Sequence, residues 1–148
     1  MTPTRIDSEE EMLMFGMSLA SRLRPGDVLL LYGELGAGKT VLTRGIARGL
    51  GILDPVLSPT FTLFHRYAGA ASLHHFDLYR LQGDRALYEA GLLEYIGEDA
   101  VTVIEWPERC ADELPARHLK ITIEYGEEEG ERTVTMVPHG DFREIKLR

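Results

Sequence analysis

Gly33-Glu34-Leu35-Gly36-Ala37-Gly38-Lys39-Thr40 is the stretch of this chain whose residue types and spacing point most directly to chemistry. Its glycines let the backbone curl so that successive N–H groups turn inward, and an ammonium followed by a hydroxyl closes the segment. That combination suits a polyphosphate. The amides and Lys39 would take the phosphate oxygens, Lys39 reaching the β- and γ-phosphates, and the Thr40 hydroxyl would be a ligand to Mg²⁺. The residues expected to bind nucleotide are Gly33, Gly36, Ala37, Gly38, Lys39, Thr40 and Val41.

A phosphate loop of this kind works with a carboxylate at the end of a second hydrophobic strand, which holds Mg²⁺ directly or through water. Val101-Thr102-Val103-Ile104-Glu105 has that form, making Thr40 and Glu105 the expected metal ligands. Asp77, in His74-His75-Phe76-Asp77-Leu78-Tyr79-Arg80, interrupts another strand-like run and is either a site residue that orients water or a strand-end cap. His74 and His75 are neighbours, so on a strand they face opposite sides and cannot share one metal. A surface or core role is expected for both. Thr60, in Ser58-Pro59-Thr60-Phe61, reads equally as a switch residue sensing the γ-phosphate or as part of a plain turn.

The elements that must position these groups follow from periodicity. Ser8 and Glu11 form a capping box, and Met12, Phe15, Leu19 and Leu23 give a helix one apolar face, ending near Arg24. Val28 to Tyr32 is a short continuous apolar run, the pattern of a strand buried on both faces, and it leads into Gly33. Val41, Leu42, Ile46 and Leu50 make the following helix, closed by Gly49 and Gly51. Strands are expected at residues 61–67, 73–78 and 100–106, and Asp84 is expected to cap a helix through Tyr95. Residues 120–125, 133–137 and 142–147 alternate apolar and polar side chains, as antiparallel additions to the sheet would. The expected fold is α/β: a P-loop NTPase-like three-layer sandwich whose central, mostly parallel sheet is extended by antiparallel C-terminal strands. All 148 residues are read as a single domain.

Composition narrows the function classes. A formal net charge of -8 repels nucleic-acid phosphates, so strong direct RNA or DNA binding by the chain alone is not expected. No apolar stretch is long enough to span a bilayer and the N-terminal segment lacks a signal-peptide pattern, which points to the cytoplasm and away from membranes. Cys110 is the sole cysteine, so neither an internal disulfide nor a Cys-rich zinc site is expected. The sequence has no Asn, which removes the Asn-Lys-x-Asp guanine reader of GTPases.

In ordered combination, GELGAGKT (33–40), TRG (43–45), SPTFTL (58–63), HFDLYRL (75–81) and IEWPE (104–108) resemble the TsaE family, also called YjeE, along nearly the whole chain. The resemblance implies an ATPase that serves TsaD and TsaB in making N6-threonylcarbamoyladenosine at tRNA position 37, hydrolysing ATP weakly alone and acting on the TsaD–TsaB assembly. It matches Thr40 and Glu105 to the Mg²⁺ positions and Thr60 to a switch threonine. It matches Asp77 and Trp106 to residues important for hydrolysis or complex activity, and it places base and ribose contacts around Ser8-Glu9 and Arg132. The C-terminal strands match only in general character.

The reaction expected is in-line attack of water on the γ-phosphate, with Lys39 and backbone amides stabilising charge and Thr60 and Asp77 ordering the switch and the water. Two other readings use the same loop. A small-molecule kinase would need an acceptor pocket and a basic lid; a nucleotide-gated adaptor would remodel its partner on binding alone.

Overall fold

The computed structural model describes residues 3–59 and 62–147. Its centre is the apolar run β2 (Val28–Tyr32), flanked by β5 (Val101–Glu105) and β6 (His118–Tyr125), both parallel to it. Strands β4 (Leu73–Asp77) and β3 (Phe64–Tyr67) continue the sheet on one side; β7 (Arg132–His139) and β1 (Thr4–Ile6) continue it on the other. The order is β1-β7-β6-β2-β5-β4-β3. The β4–β5 pair is parallel, and the pairs nearer the two edges are antiparallel.

Alternation along the strands divides the core. Leu29, Leu31, Leu73, Val101, Val103, Leu119 and Ile121 meet helices α1 (Glu9–Ala20) and α2 (Lys39–Gly49) on one face. Val28, Leu30, Phe76 and Ile104 face a thinner layer made of helix α3 (Ala86–Glu89) and the 3-10 turns at Leu93–Tyr95 and Pro107–Glu113. This gives the three-layer arrangement expected. Among the described residues, no helix is long and apolar enough to cross a membrane.

Helices α1 and α2 cross at very short range because glycines replace side chains at the crossing. A Cβ built on Gly45 would lie 2.3 Å from the Leu13 carbonyl oxygen, and one on Gly16 would lie 2.6 Å from that of Leu42. Gly45→Ala would gain about 1 kcal/mol in helix propensity. The clash is with backbone, which cannot swing aside, and overpacking of this kind costs roughly 1–3 kcal/mol. The clash should win: a lower urea midpoint with an unchanged m-value is the expected result, and an equal or higher midpoint would refute close packing at this crossing.

Several boundaries differ from the sequence expectations. The Ser8 hydroxyl accepts from Glu11 N as expected, but the Glu11 carboxylate reaches back to Asp7 N, one residue further than a capping box requires. Helix α1 stops at Ala20, short of Arg24, because Ser21 bonds the Ser18 carbonyl and Asp27 accepts from Arg24 N, drawing the chain into a turn. The helix expected from Asp84 to Tyr95 is only α3 and a 3-10 turn. Its N-terminal amides at Leu87 and Tyr88 are capped by the Glu113 carboxylate, from far along the chain, and Gly91 at φ 74 ends it. Within the strand expected at residues 61–67, the described part runs only from Phe64, since Leu63 at φ 68 bonds back to the Pro59 carbonyl.

The C-terminal strands also need correction. β6 is antiparallel only to β7; toward the centre it runs parallel to β2, so it is a core strand. Residues 142–147 form no strand but a strap, held by Phe142 and Ile145 in the core and by a two-point ion pair from Arg143 to buried Asp27 at 3.0 and 2.7 Å. That bond and charge hold the Arg143 guanidinium pKa above its usual value. β1 is too short to show a pattern in the sequence and exists through its pairing with β7.

Candidate functional site

The Gly33–Thr40 segment leaves β2 and turns directly into α2, so the loop lies over the C-terminal ends of the parallel strands. Gly38 takes φ +115 as the residue before the helix, a conformation that side chains rarely adopt. The two long helices begin differently. α1 has a serine cap and three glutamates in its first turn, whereas α2 has neither a side-chain cap nor an acidic residue there. The amides at the start of α2 are thus left to an external anion, reinforced by the helix dipole.

A cleft of about 360 Å³ opens at this point, lined by Gly36, Gly38, Lys39, Thr40, Val41, Ser58, Asp77, Tyr79, Glu105 and Trp106, with Leu35 at its edge. Strand register explains the grouping. Asp77 and Glu105 are Cα partners on the parallel strands β4 and β5, and Leu31, at the end of β2, pairs with Glu105 on the other side. Two carboxylates therefore end side by side below the loop that carries Lys39.

Lys39 is only 5 % exposed, and its ammonium has no hydrogen-bond partner among the described residues. It sits 3.7 Å from the centroid of the Trp106 ring, a cation–π contact that replaces only part of its hydration. Burial pulls the Lys39 pKa below the usual lysine value, while the charges of Glu105, Glu108 and Asp77 oppose that shift. A buried cation with no acceptor is costly, and a phosphate oxygen would satisfy it.

Trp106 holds the left-handed conformation φ 57, ψ 46, a strained geometry for a bulky residue. Its ring also packs on Tyr79, centroids 4.9 Å apart, and so roofs the cleft. On the far side of the loop a smaller cavity is lined by Ser8, Glu9, Met12, Gly36, Ala37, Gly38, Val41, Gly130 and Arg132. Arg132 donates to the Ala37 carbonyl at 3.0 Å, and Tyr125 donates to the Leu35 carbonyl at 2.7 Å. These bonds from β6 and β7 hold loop carbonyls outward.

Of the residues singled out in the sequence, Gly36, Gly38, Lys39, Thr40, Val41, Asp77, Glu105 and Trp106 line the main cleft. Ala37 and Arg132 line the smaller cavity beside the loop, and Gly33 joins β2 to it. Thr60 lies outside the described residues. Sequence reasoning assigned no site role to Tyr79, Tyr125 or His75. His74 behaves as a core residue, its Nδ1 bonded to the Tyr95 carbonyl at 2.8 Å. His75 instead meets Glu105, Nε2 to Oε2 at 2.6 Å. The available signal was its place two residues before Asp77, hence on the same strand face.

Comparison with known proteins identifies the family and the fold. Residues 6–134 match the family model described as threonylcarbamoyl adenosine biosynthesis protein TsaE. A Bacillus subtilis protein named tRNA threonylcarbamoyladenosine biosynthesis protein TsaE is 41% identical over 135 residues, covering 90% of this chain and 84% of its own length. A Nostoc protein of the same name is 38% identical over 145 residues, covering 93% and 86%. The crystal structure of Bacillus subtilis YdiB superposes with a TM-score of 0.80 at 35% identity, over 95% of this chain and 86% of that one. With the family model spanning most of its length and relatives about 40% identical over nearly the whole chain, this chain belongs to the TsaE family.

Proposed function

We propose that the chain binds ATP with Mg²⁺ and hydrolyses it weakly, in support of a TsaD–TsaB assembly that installs N6-threonylcarbamoyladenosine at tRNA position 37 in the cytoplasm. The observation that carries this reading is the Lys39 ammonium, buried and without an acceptor among the described residues, at the start of an uncapped helix and in one cleft with Glu105 and Asp77.

The residues present fit the metal. Thr40 and Glu105 would hold Mg²⁺, which commonly takes one or two protein oxygens together with substrate phosphates. When bound, it would withdraw charge from the β- and γ-phosphate oxygens. The chain's own groups supply the rest. Loop amides and Lys39 seat the triphosphate, Asp77 orients the attacking water, and the Trp106 ring shields the cleft from bulk solvent. Among the described residues, none that line this cleft is an arginine. An arginine finger supplies a large share of catalysis in fast P-loop hydrolases, so this lining supports a reading of slow turnover alone and stimulation by a partner.

Trp106 is the sole tryptophan and lies against Lys39, so its emission should report occupancy directly. Adding Mg²⁺ and ATP is expected to change the emission in a saturable way, because phosphate oxygens replace the ring as the neighbours of the ammonium. A spectrum that stays constant, together with no heat of binding in calorimetry, would remove the basis of the reading. The pathway assignment needs a second measurement. With purified TsaD and TsaB, ATP turnover should rise and multi-turnover tRNA modification should require hydrolysable ATP. If a non-hydrolysable analogue served equally well, the chain would be a nucleotide-gated adaptor instead.

A further inference from the structure

We propose that His75 is a positioning residue for the Glu105 carboxylate, committing one of its oxygens to the imidazole and leaving the other to Mg²⁺ in the cleft. This inference rests on the nucleotide reading above. The bond is short, 2.6 Å from His75 Nε2 to Glu105 Oε2, and the side chains are 0% and 4% exposed, so water does not compete for it.

Strand register shows why the two groups meet. In the β4–β5 pair, His75 stands opposite Val103 and Asp77 opposite Glu105. His75 therefore lies diagonally behind Glu105 on the face that also carries Asp77. Glu105 is braced from the strand that presents the second carboxylate, and the bond couples the placement of both. A neutral ring bonded in this way carries its proton on Nε2.

The other ring nitrogen argues for a role beyond packing. His75 Nδ1 is buried and has no hydrogen-bond partner among the described residues. A leucine or phenylalanine would fill the space without burying an unsatisfied polar atom, so the imidazole is a poor choice for the core alone. His74, the residue before it, is bonded through Nδ1 to the Tyr95 carbonyl instead of to a cleft residue. Partners that hold a metal-binding carboxylate in place typically change metal affinity by about 10–100-fold when removed.

The test uses the full chain and a fluorescent ATP analogue, with affinity measured in EDTA and in saturating Mg²⁺. The readout is the ratio of the two, alongside the thermal midpoint. His75→Leu should keep the EDTA affinity and lower the Mg²⁺-to-EDTA ratio about 10-fold. His75→Gln, whose amide nitrogen reaches about as far as Nε2, should restore the ratio, and the shorter His75→Asn should not. If the Leu variant does not fold, the Gln and Asn variants make the same comparison. A parental ratio retained in the Leu or Asn variant, or a loss of both affinities in step with the thermal midpoint, would overturn the positioning role. If the parental protein showed no gain from Mg²⁺, the nucleotide reading would fall, and this role with it.

Discussion

Lys39→Met lowers ATP affinity roughly 100-fold while the ligand-free protein keeps its thermal midpoint or gains on it. The two halves of this expectation share one cause. The ammonium is buried with no hydrogen-bond acceptor among the described residues, so in the empty protein its charge is a cost, relieved only in part by the Trp106 ring and the charges of Glu105, Glu108 and Asp77. Methionine has similar length and no charge, and it packs well against an aromatic ring. With nucleotide present the balance reverses. Contacts from a charged donor to phosphate contribute about 1.5–3 kcal/mol each, so losing even one strong contact, or two weaker ones, approaches the ~3 kcal/mol that 100-fold represents.

A pH dependence accompanies this. Burial lowers the Lys39 pKa in the free protein, and a bound triphosphate raises it, so binding takes up a proton whenever Lys39 was neutral beforehand. Affinity is then full below the free-state pKa and falls as pH rises through it. Calorimetry across pH in two buffers of different ionisation enthalpy measures that uptake. A loss of affinity with rising pH that persists in Lys39→Met would show that another group is responsible.

Glu105→Gln is expected to slow partner-stimulated hydrolysis by about 100-fold or more, the scale found when a group that stabilises transition-state charge is removed. The substitution keeps shape and an accepting oxygen, so the bond from His75 and the packing of β5 survive and the fold should be unchanged. What disappears is the negative charge that would hold the metal. Affinity in EDTA should rise slightly, because one of two carboxylates facing the triphosphate has gone. Single-turnover hydrolysis and EDTA binding together separate this from a folding defect. Parental turnover in Glu105→Gln would remove the metal role, and weaker EDTA binding would show that the carboxylate does not face the phosphates.

Legibility in the sequence tracked how local each cause is. The Gly33–Thr40 loop was fully readable, since glycine spacing, the preceding apolar run and the following helix all act within a few residues. The helix ends were less so. The amides at the start of α3 are capped by Glu113, whose position relative to Leu87 no pattern within residues 84–95 encodes. β6 read as an antiparallel addition because its polar and apolar residues alternate, yet it lies parallel beside β2 with only one face deeply buried. Alternation reports how many faces are buried and carries nothing about direction.

The residue order alone was enough to specify the Gly33–Thr40 loop, its strand and helix, Glu105 at the end of a strand and the three-layer α/β class, because backbone conformation and one-dimensional periodicity set these. It did not specify that Asp77 and Glu105 stand side by side, that His75 braces one of them, that Trp106 covers Lys39, or that Arg132 on β7 and Tyr125 on β6 hold the loop. Those pairings join residues from tens of positions to nearly a hundred apart. They follow from strand order and register, which depend on how all the apolar faces pack together and not on any single segment.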